Sequence, residues 1–255
     1  MRTCSDRKNL TLPQALSDLK KKGFQIEEYP SEWVLFLEFW SKSQLSDRHI
    51  IKNALDKIRP QLKEKFPMGQ AAYSLSSQDL SFGMKEEEYL GLKIPKVTSN
   101  QLTRVFNIYL VDTISSSIAA YVANDLHKVF GDKINIVRVK NFTELRNEPK
   151  EKIDCVVSLL GIDPGDPLTH LSFLQEDSPL VLGAISLKEI EAVGMITDEN
   201  KFNDAVKVLE KKLIENIIVV PFAHFPGVVV EAPGFKKMDH LSWGWGAQAW
   251  TYQTP

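Results

Sequence analysis

The chain has 255 residues, enough for one large domain or two modest ones with separate cores. Its 43% hydrophobic and 25% charged residues give the profile of a globular protein rather than a disordered or fibrous one. With 31 basic side chains against 33 acidic ones the net charge is −2, so no basic excess exists to displace counterions from phosphate, and a nucleic-acid partner is not expected.

Thr11-Leu12-Pro13 opens a helix that Gly23 closes, with Ala15, Leu16 and Leu19 on its apolar face. The Lys20-Lys21-Lys22 run reads as a solvated helix face. Residues 31–40 are aromatic and apolar, and short enough for a buried strand. Ser46 is the expected cap of the next helix, where Ile50, Ile51, Ala54, Leu55, Ile58 and Leu62 recur at helical spacing until Pro60 kinks or ends it. Residues 67–103 show little periodicity and read as a long irregular excursion, of a length that usually serves a site.

The middle of the chain is clearer. Residues 105–111 read as a strand and 115–130 as a helix with Ile118, Val122, Leu126 and Val129 inward, stopped at Gly131. A strand over 134–139, a short helix at 142–146 and a strand over 155–160 follow. That alternation predicts βαβ units, with the runs at 105–111, 134–139 and 153–160 in one partly parallel sheet. A helix over 203–214, a buried strand over 217–224 and a second over 227–231 complete the pattern. Trp243, Trp245 and Trp250 concentrate in the tail, which reads as a turn with aromatic walls.

Signatures of catalysis are missing: no Gly-x-Ser-x-Gly, no phosphate-binding Gly-x-x-x-x-Gly-Lys, no His-Glu-x-x-His, and no Gly-x-Gly-x-x-Gly after a strand. No Cys/His cluster has zinc spacing, so neither a metal nor a cofactor is expected. Cys4 and Cys155 read as isolated thiols rather than a disulfide pair. No run approaches the roughly 20 apolar residues that span a bilayer, so membrane insertion is not expected. Residues 1–7 lack an apolar core, and they read neither as a signal peptide nor as a setting for a lipid anchor on Cys4.

The informative segment is Ile153 to Pro167. An apolar strand ends at Gly161 and delivers Asp163 and Asp166 into a turn stiffened by Pro164, Gly165 and Pro167. In open α/β sheets the carboxyl end of a strand is where ligands sit, and a carboxylate fixed there can pair with a ligand ammonium group. The alternative is an Asx-turn that caps a helix starting near Leu168. Asp166 reads as that cap, while Asp163 stays open between the two roles.

This segment resembles a motif in the oligopeptide- and dipeptide-binding family of extracellular solute-binding proteins, in which a hydrophobic strand leads into an Asp and an Asp/Asn-x-x-Asp-Pro turn. Other blocks are similar in the same order: Leu35–Asp56, Phe106–Val139 and Pro221-Phe-Ala-His224. The resemblance spans roughly residues 11–250 and only the C-terminal part of the family. It departs at Trp40, where the family has Asn, and at Leu160, where it has Trp.

The resemblance implies a periplasmic-binding-protein-like C-terminal α/β lobe with a mixed, partly parallel sheet flanked by helices. It implies a flanking segment over 1–32 that ends a partner lobe, a ligand-binding lobe over 33–220, and return strands with a tail over 221–255. The implied function is binding of peptides or similar small solutes for an ABC importer, without catalysis. The ligand would be held by Asp163, Gly161, Leu160 and Trp40. Implied partners are the small-molecule ligand, the missing N-terminal lobes and an ABC permease, at a periplasmic or extracellular-surface location. A cytoplasmic ligand-sensing domain, or an enzyme with dispersed catalytic residues, is the alternative.

Overall fold

The computed structural model describes residues 12–40, 44–66, 69–77, 80–94, 101–111, 116–161, 167–231, 233, 235–237 and 250–252. Two compact units emerge, one formed by residues 1–30 with 226–255 and the other by residues 31–225. The boundary falls inside two long strands, β1 (Gln25–Phe39) and β6 (Val219–Glu231), so each contributes residues to both units.

In the smaller unit, α1 (Leu12–Lys21) closes at Gly23, whose φ of +85° is a left-handed conformation that glycine adopts without a Cβ clash. A short antiparallel pair follows far along the chain, with Phe235 opposite Tyr252. Trp243 and Trp245 lie outside the described residues, as does Cys4.

The larger unit is built on a six-stranded sheet. After β1 come α2 (Leu45–Ile58), α3 (Leu62–Lys65), β2 (Gln70–Ala71), α4 (Glu86–Leu90) and β3 (Phe106–Val111). Then follow α5 (Ser116–Phe130), β4 (Ile134–Val139), α6 (Phe142–Asn147) and β5 (Cys155–Gly161). Four helices, α7 (Thr169–Asp177), α8 (Pro179–Ala184), α9 (Leu187–Gly194) and α10 (Glu199–Glu215), precede β6. The strand order is β2-β6-β1-β5-β3-β4. β3 pairs parallel with β4 and with β5, whereas β1 pairs antiparallel with β5. The three middle runs thus share one mixed, partly parallel sheet flanked by helices, as their alternation predicts.

Strand periodicity sorts the core. Leu35, Leu37 and Phe39 join Ile108, Leu110, Cys155 and Val157 in a cluster covered by α2 and α5. Val34 and Phe36 point the other way, toward Leu171, Val181, Ile190, Val206 and Leu213 of α7–α10. A third cluster gathers Trp40, Tyr109, Val111, Val139 and Val156 around Leu145 of α6. Both faces of the sheet are therefore buried, which is why its strands read as nearly continuous apolar runs.

Several expectations are corrected. β1 starts at Gln25 rather than at residue 31, because Glu27, Glu28 and Pro30 hide an extended segment behind polar and turn-like residues. β6 is one strand that runs through Pro226-Gly227 instead of two. α2 begins at Leu45 with Gln44 as its N-cap residue, not Ser46. α10 begins at Glu199 rather than Asn203, since Asp198 accepts the Lys201 amide at 3.0 Å and recruits a polar first turn. Val129 is 58% exposed, and the inner face of α5 is formed by Ala119, Val122, Ala123 and Leu126.

The short helices α8 and α9 escaped the periodicity reading, yet their caps were written in the chain. Ser178 precedes Pro179, and Ser186 with Glu189 makes a capping box. Glu189 accepts from the Lys212 ammonium, the Ser186 amide and the Ser186 hydroxyl, which together hold its carboxyl at about 2. Its folded value lies below the ordinary value near 4.3, so its contribution is present above that value and is lost as pH falls toward about 2. The advantage of wild type over Glu189→Gln in a urea titration at about pH 6 should therefore shrink steadily on acidification. An advantage that survives unchanged at the acid end would assign it to packing rather than to the ionised carboxylate.

Candidate ligand site

The parallel strands deliver their carboxyl ends to one edge of the sheet. Val111 ends β3 opposite Val139, which ends β4. β5 pairs with β3 as far as Leu110↔Val157, but it continues through Leu159 and Leu160 to Gly161. Its last four residues therefore project roughly 13 Å beyond the final pair with β3 at about 3.3 Å per residue. Only β1 accompanies them among the described residues, through Leu35↔Leu159, Val34↔Leu160 and Trp33↔Gly161. Cys155–Ser158 are buried, whereas 159–161 are half-buried, so the strand passes from core to rim within one element.

The structure brings Leu160 and Gly161 to this rim, with Trp33 directly opposite the glycine. That pairing is not legible in the sequence: nothing local says that the start of one apolar run will face the end of another so far along the chain. Asp163 and Asp166 lie outside the described residues. Trp40 does not reach the rim. Its amide donates to the carbonyl of Asp154, just before β5 begins, and its ring is 3% exposed in the cluster around Leu145. Seven residues of extended strand, roughly 23 Å, separate Trp40 from the residue that faces Gly161.

Buried polar groups elsewhere gather into two clusters, each of which leaves one buried nitrogen, His170 Nδ1 and Arg59 Nε, without a hydrogen-bond partner among the described residues. Glu210 and His170 are each 1% exposed, and His170 Nε2 lies 3.0 Å from a Glu210 oxygen. The amide and hydroxyl of Ser76 donate to the same carboxylate. Serine, histidine and carboxylate are the residue types of a hydrolytic triad, but here the carboxylate stands in the middle. A triad needs the imidazole between hydroxyl and carboxylate so that it can take the proton. This group is wired as a tie between α7, α10 and the 73–77 segment, with the carboxylate and not the imidazole on the hydroxyl.

A second cluster joins Lys52 (2.6 Å) and Arg59 (3.0 Å) to Asp56, with the Tyr89 hydroxyl donating at 3.1 Å. Arg59 also donates to the Pro221 carbonyl at 2.7 Å and sits over the Tyr73 and Tyr89 rings. At the amino end of β5, the buried Asp154 carboxylate accepts from Arg104 and from the Asn107 amide at 2.8 Å. Burial, aided by Asp154 and Glu38, pushes the Cys155 thiol well up, which removes it as a nucleophile. Among the described residues no group of three His, Cys, Asp or Glu side chains could hold a metal ion, and no helix is long and apolar enough to cross a membrane.

No protein-family model matches the sequence, nor does any curated protein. Solved structures do match in fold. NikA from Brucella suis, in complex with Fe(III)-EDTA, is 19% identical with a TM-score of 0.62, over 91% of this chain and 52% of its own. The dipeptide-binding protein of a Pseudoalteromonas species, in complex with Met-Leu, gives 17% and 0.63, over 87% and 48%. The oligopeptide-binding protein AppA from Bacillus subtilis, in complex with a nonapeptide, gives 14% and 0.61, over 91% and 52%. The chain spans about half the length of the structures it matches, and its fold is that of a corresponding half of a peptide-type solute-binding protein.

Proposed function

We propose that the chain is the C-terminal, ligand-binding part of an ABC-importer solute-binding protein for peptides or similar small solutes, and that it carries out no catalysis. The observation that supports this reading most is the shared fold: two of the solved structures named above hold peptides, Met-Leu and a nonapeptide. In this reading residues 33–220 form the ligand-binding lobe, and 1–32 and 221–255 are flanking segments of a partner lobe. The protein works outside the cytoplasmic membrane with a permease, and two lobes close over the ligand by hinge motion.

The projecting end of β5 supports a peptide as ligand. An extended peptide can hydrogen-bond to a strand that outruns its neighbour, while roomy surroundings accept varied side chains. Asp163, two residues past Gly161 in sequence, is the proposed partner of the ligand's ammonium group. Half a clamp binds weakly, so measurable affinity is expected in the two-lobed context, with the N-terminal lobes supplied on the same or another chain.

Titration calorimetry with a panel of short peptides tests this. Removing one partner from a desolvated charge pair commonly costs several kcal/mol. Asp163→Asn should therefore weaken binding at least tenfold, about 1.4 kcal/mol, with little change in folding stability. Asp166→Ala, the cap-type control, should cost about 1 kcal/mol of stability and leave affinity nearly unchanged. If Asp166→Ala alone weakens binding, the two roles are exchanged. If no peptide binds with both lobes present, the peptide reading fails.

A further inference from the structure

Two helices of this chain close with the same pair of hydrogen bonds but with different residues in the left-handed position. After α1 the Gly23 amide donates to Lys20 (3.0 Å) and the Phe24 amide to Leu19 (3.1 Å). After α10 the Ile217 amide donates to Ile214 (2.9 Å) and the Ile218 amide to Leu213 (2.8 Å). Both are Schellman closures, whose left-handed residue is usually glycine because a Cβ there meets the backbone. Gly23 obeys that rule. Ile217, with φ +49°, breaks it, and it is the one non-glycine residue of positive φ among the described residues. A β-branched residue in that conformation is a genuine outlier that persists only where its surroundings over-determine it.

Two surroundings do so here. Ile217 is fully buried in the cluster under α2 and α5, so its side chain is wanted even where its backbone is not. Arg48, in the first turn of α2, supplies the second. Its Nη1 donates to the carbonyl of Asn216 at 3.1 Å and to that of Ile217 at 3.2 Å, one on each side of the strained unit. Among the described residues no carboxylate pairs with Arg48, and its buried Nε has no hydrogen-bond partner. Burial pulls its pKa below the usual guanidinium value. A half-buried cation with no counter-charge among the described residues is costly to keep, and the groups that it serves are the main-chain carbonyls at the negative end of α10.

We infer that Arg48 is a positioning residue that clamps the turn after α10 in its left-handed form and thereby sets the register in which β6 enters the sheet. The next residue, Ile218, offers its carbonyl to the Phe39 amide at 2.9 Å, and β6 starts at Val219. Strand side chains alternate, so a one-residue slip would carry Val220 and Phe222 from one core cluster to the opposite face and Val219 the other way. The clamp therefore fixes the larger-unit end of a strand that continues into the smaller unit.

Amide hydrogen exchange on the full chain tests this. Arg48→Met should speed exchange at Phe39, Ile217 and Ile218 by at least about tenfold while leaving Val122–Leu126 of α5 unchanged. Ile217→Gly and Ile217→Ala both remove the buried side chain, but only glycine removes the strain. In the glycine background, Arg48→Met should accelerate exchange at Phe39 and Ile218 at least about threefold less than in the alanine background, because glycine holds the turn unaided. If Arg48→Met fails to fold, Arg48→Lys across isoleucine, alanine and glycine at 217 gives the same comparison. Equal acceleration in every element, or an effect indifferent to glycine against alanine, would overturn the inference.

Discussion

Phe39→Ala should lower the free energy of unfolding by about 4 kcal/mol, the largest single effect expected from an apolar truncation here. Phe39 is fully buried and meets Phe106 edge-to-face, with ring centroids 6.0 Å apart and an interplanar angle of 71°. Truncation to alanine loses the transfer energy of the ring, the aromatic pair and the packing of the cavity walls. The site cannot collapse easily, because β1 is held on both sides at this point: the Phe39 amide donates to Ile218, and Phe39 lies opposite Cys155. Phe39→Leu should cost much less, and Val129→Ala, at a 58% exposed position, should stay within about 0.5 kcal/mol of wild type. Urea titrations of the three variants check the order. A Phe39→Ala cost no larger than that of Phe39→Leu would mean that the cluster under α2 and α5 repacks, contrary to the buried sheet described above.

The same residues show what the sequence could and could not reveal. β3, α5, β4 and β5 are legible because each carries its own period: runs such as Ile108–Val111 and Cys155–Ser158 are buried on both faces, and Val122 with Leu126 returns after four residues. The rim at Gly161 is legible for the same reason, since an apolar run followed by Asp, Pro and Gly must end where the sheet ends. What local pattern omits is pairing. Trp33 faces Gly161 only because β1 runs antiparallel to β5, and Trp40 is carried to the far end by that same register. Ile217 was hidden by a rule that works elsewhere: Asn216 reads as the stop of α10, and nothing local says that a buried isoleucine will occupy the place glycine takes after α1. Tertiary burial overrides cap preference there, and burial is not a local quantity.

Glu210→Ala should cost about 3–5 kcal/mol, although it removes no apolar core residue. Its carboxylate is the shared acceptor for the Ser76 amide, the Ser76 hydroxyl and His170 Nε2, in a site where Glu210 and His170 are each 1% exposed. Ser76 lies 134 residues from Glu210 and His170 lies 40, so one side chain ties three distant stretches of chain. An alanine there leaves several buried donors without an acceptor, and the desolvation penalty of each is then uncompensated. Glu210→Gln keeps one acceptor oxygen and the shape, so it should cost less than Glu210→Ala. The comparison that isolates the network is the triple change Glu210→Leu, His170→Leu and Ser76→Ala, which removes donors and acceptor together. It should recover a good part of the loss, because replacing a buried polar group wholesale by apolar residues is often nearly neutral, whereas breaking it is not. If the triple variant is less stable than Glu210→Ala by the sum of its parts, the three residues stabilise the fold independently. They are then packing residues that happen to touch, and no network ties α7 and α10 to the 73–77 segment.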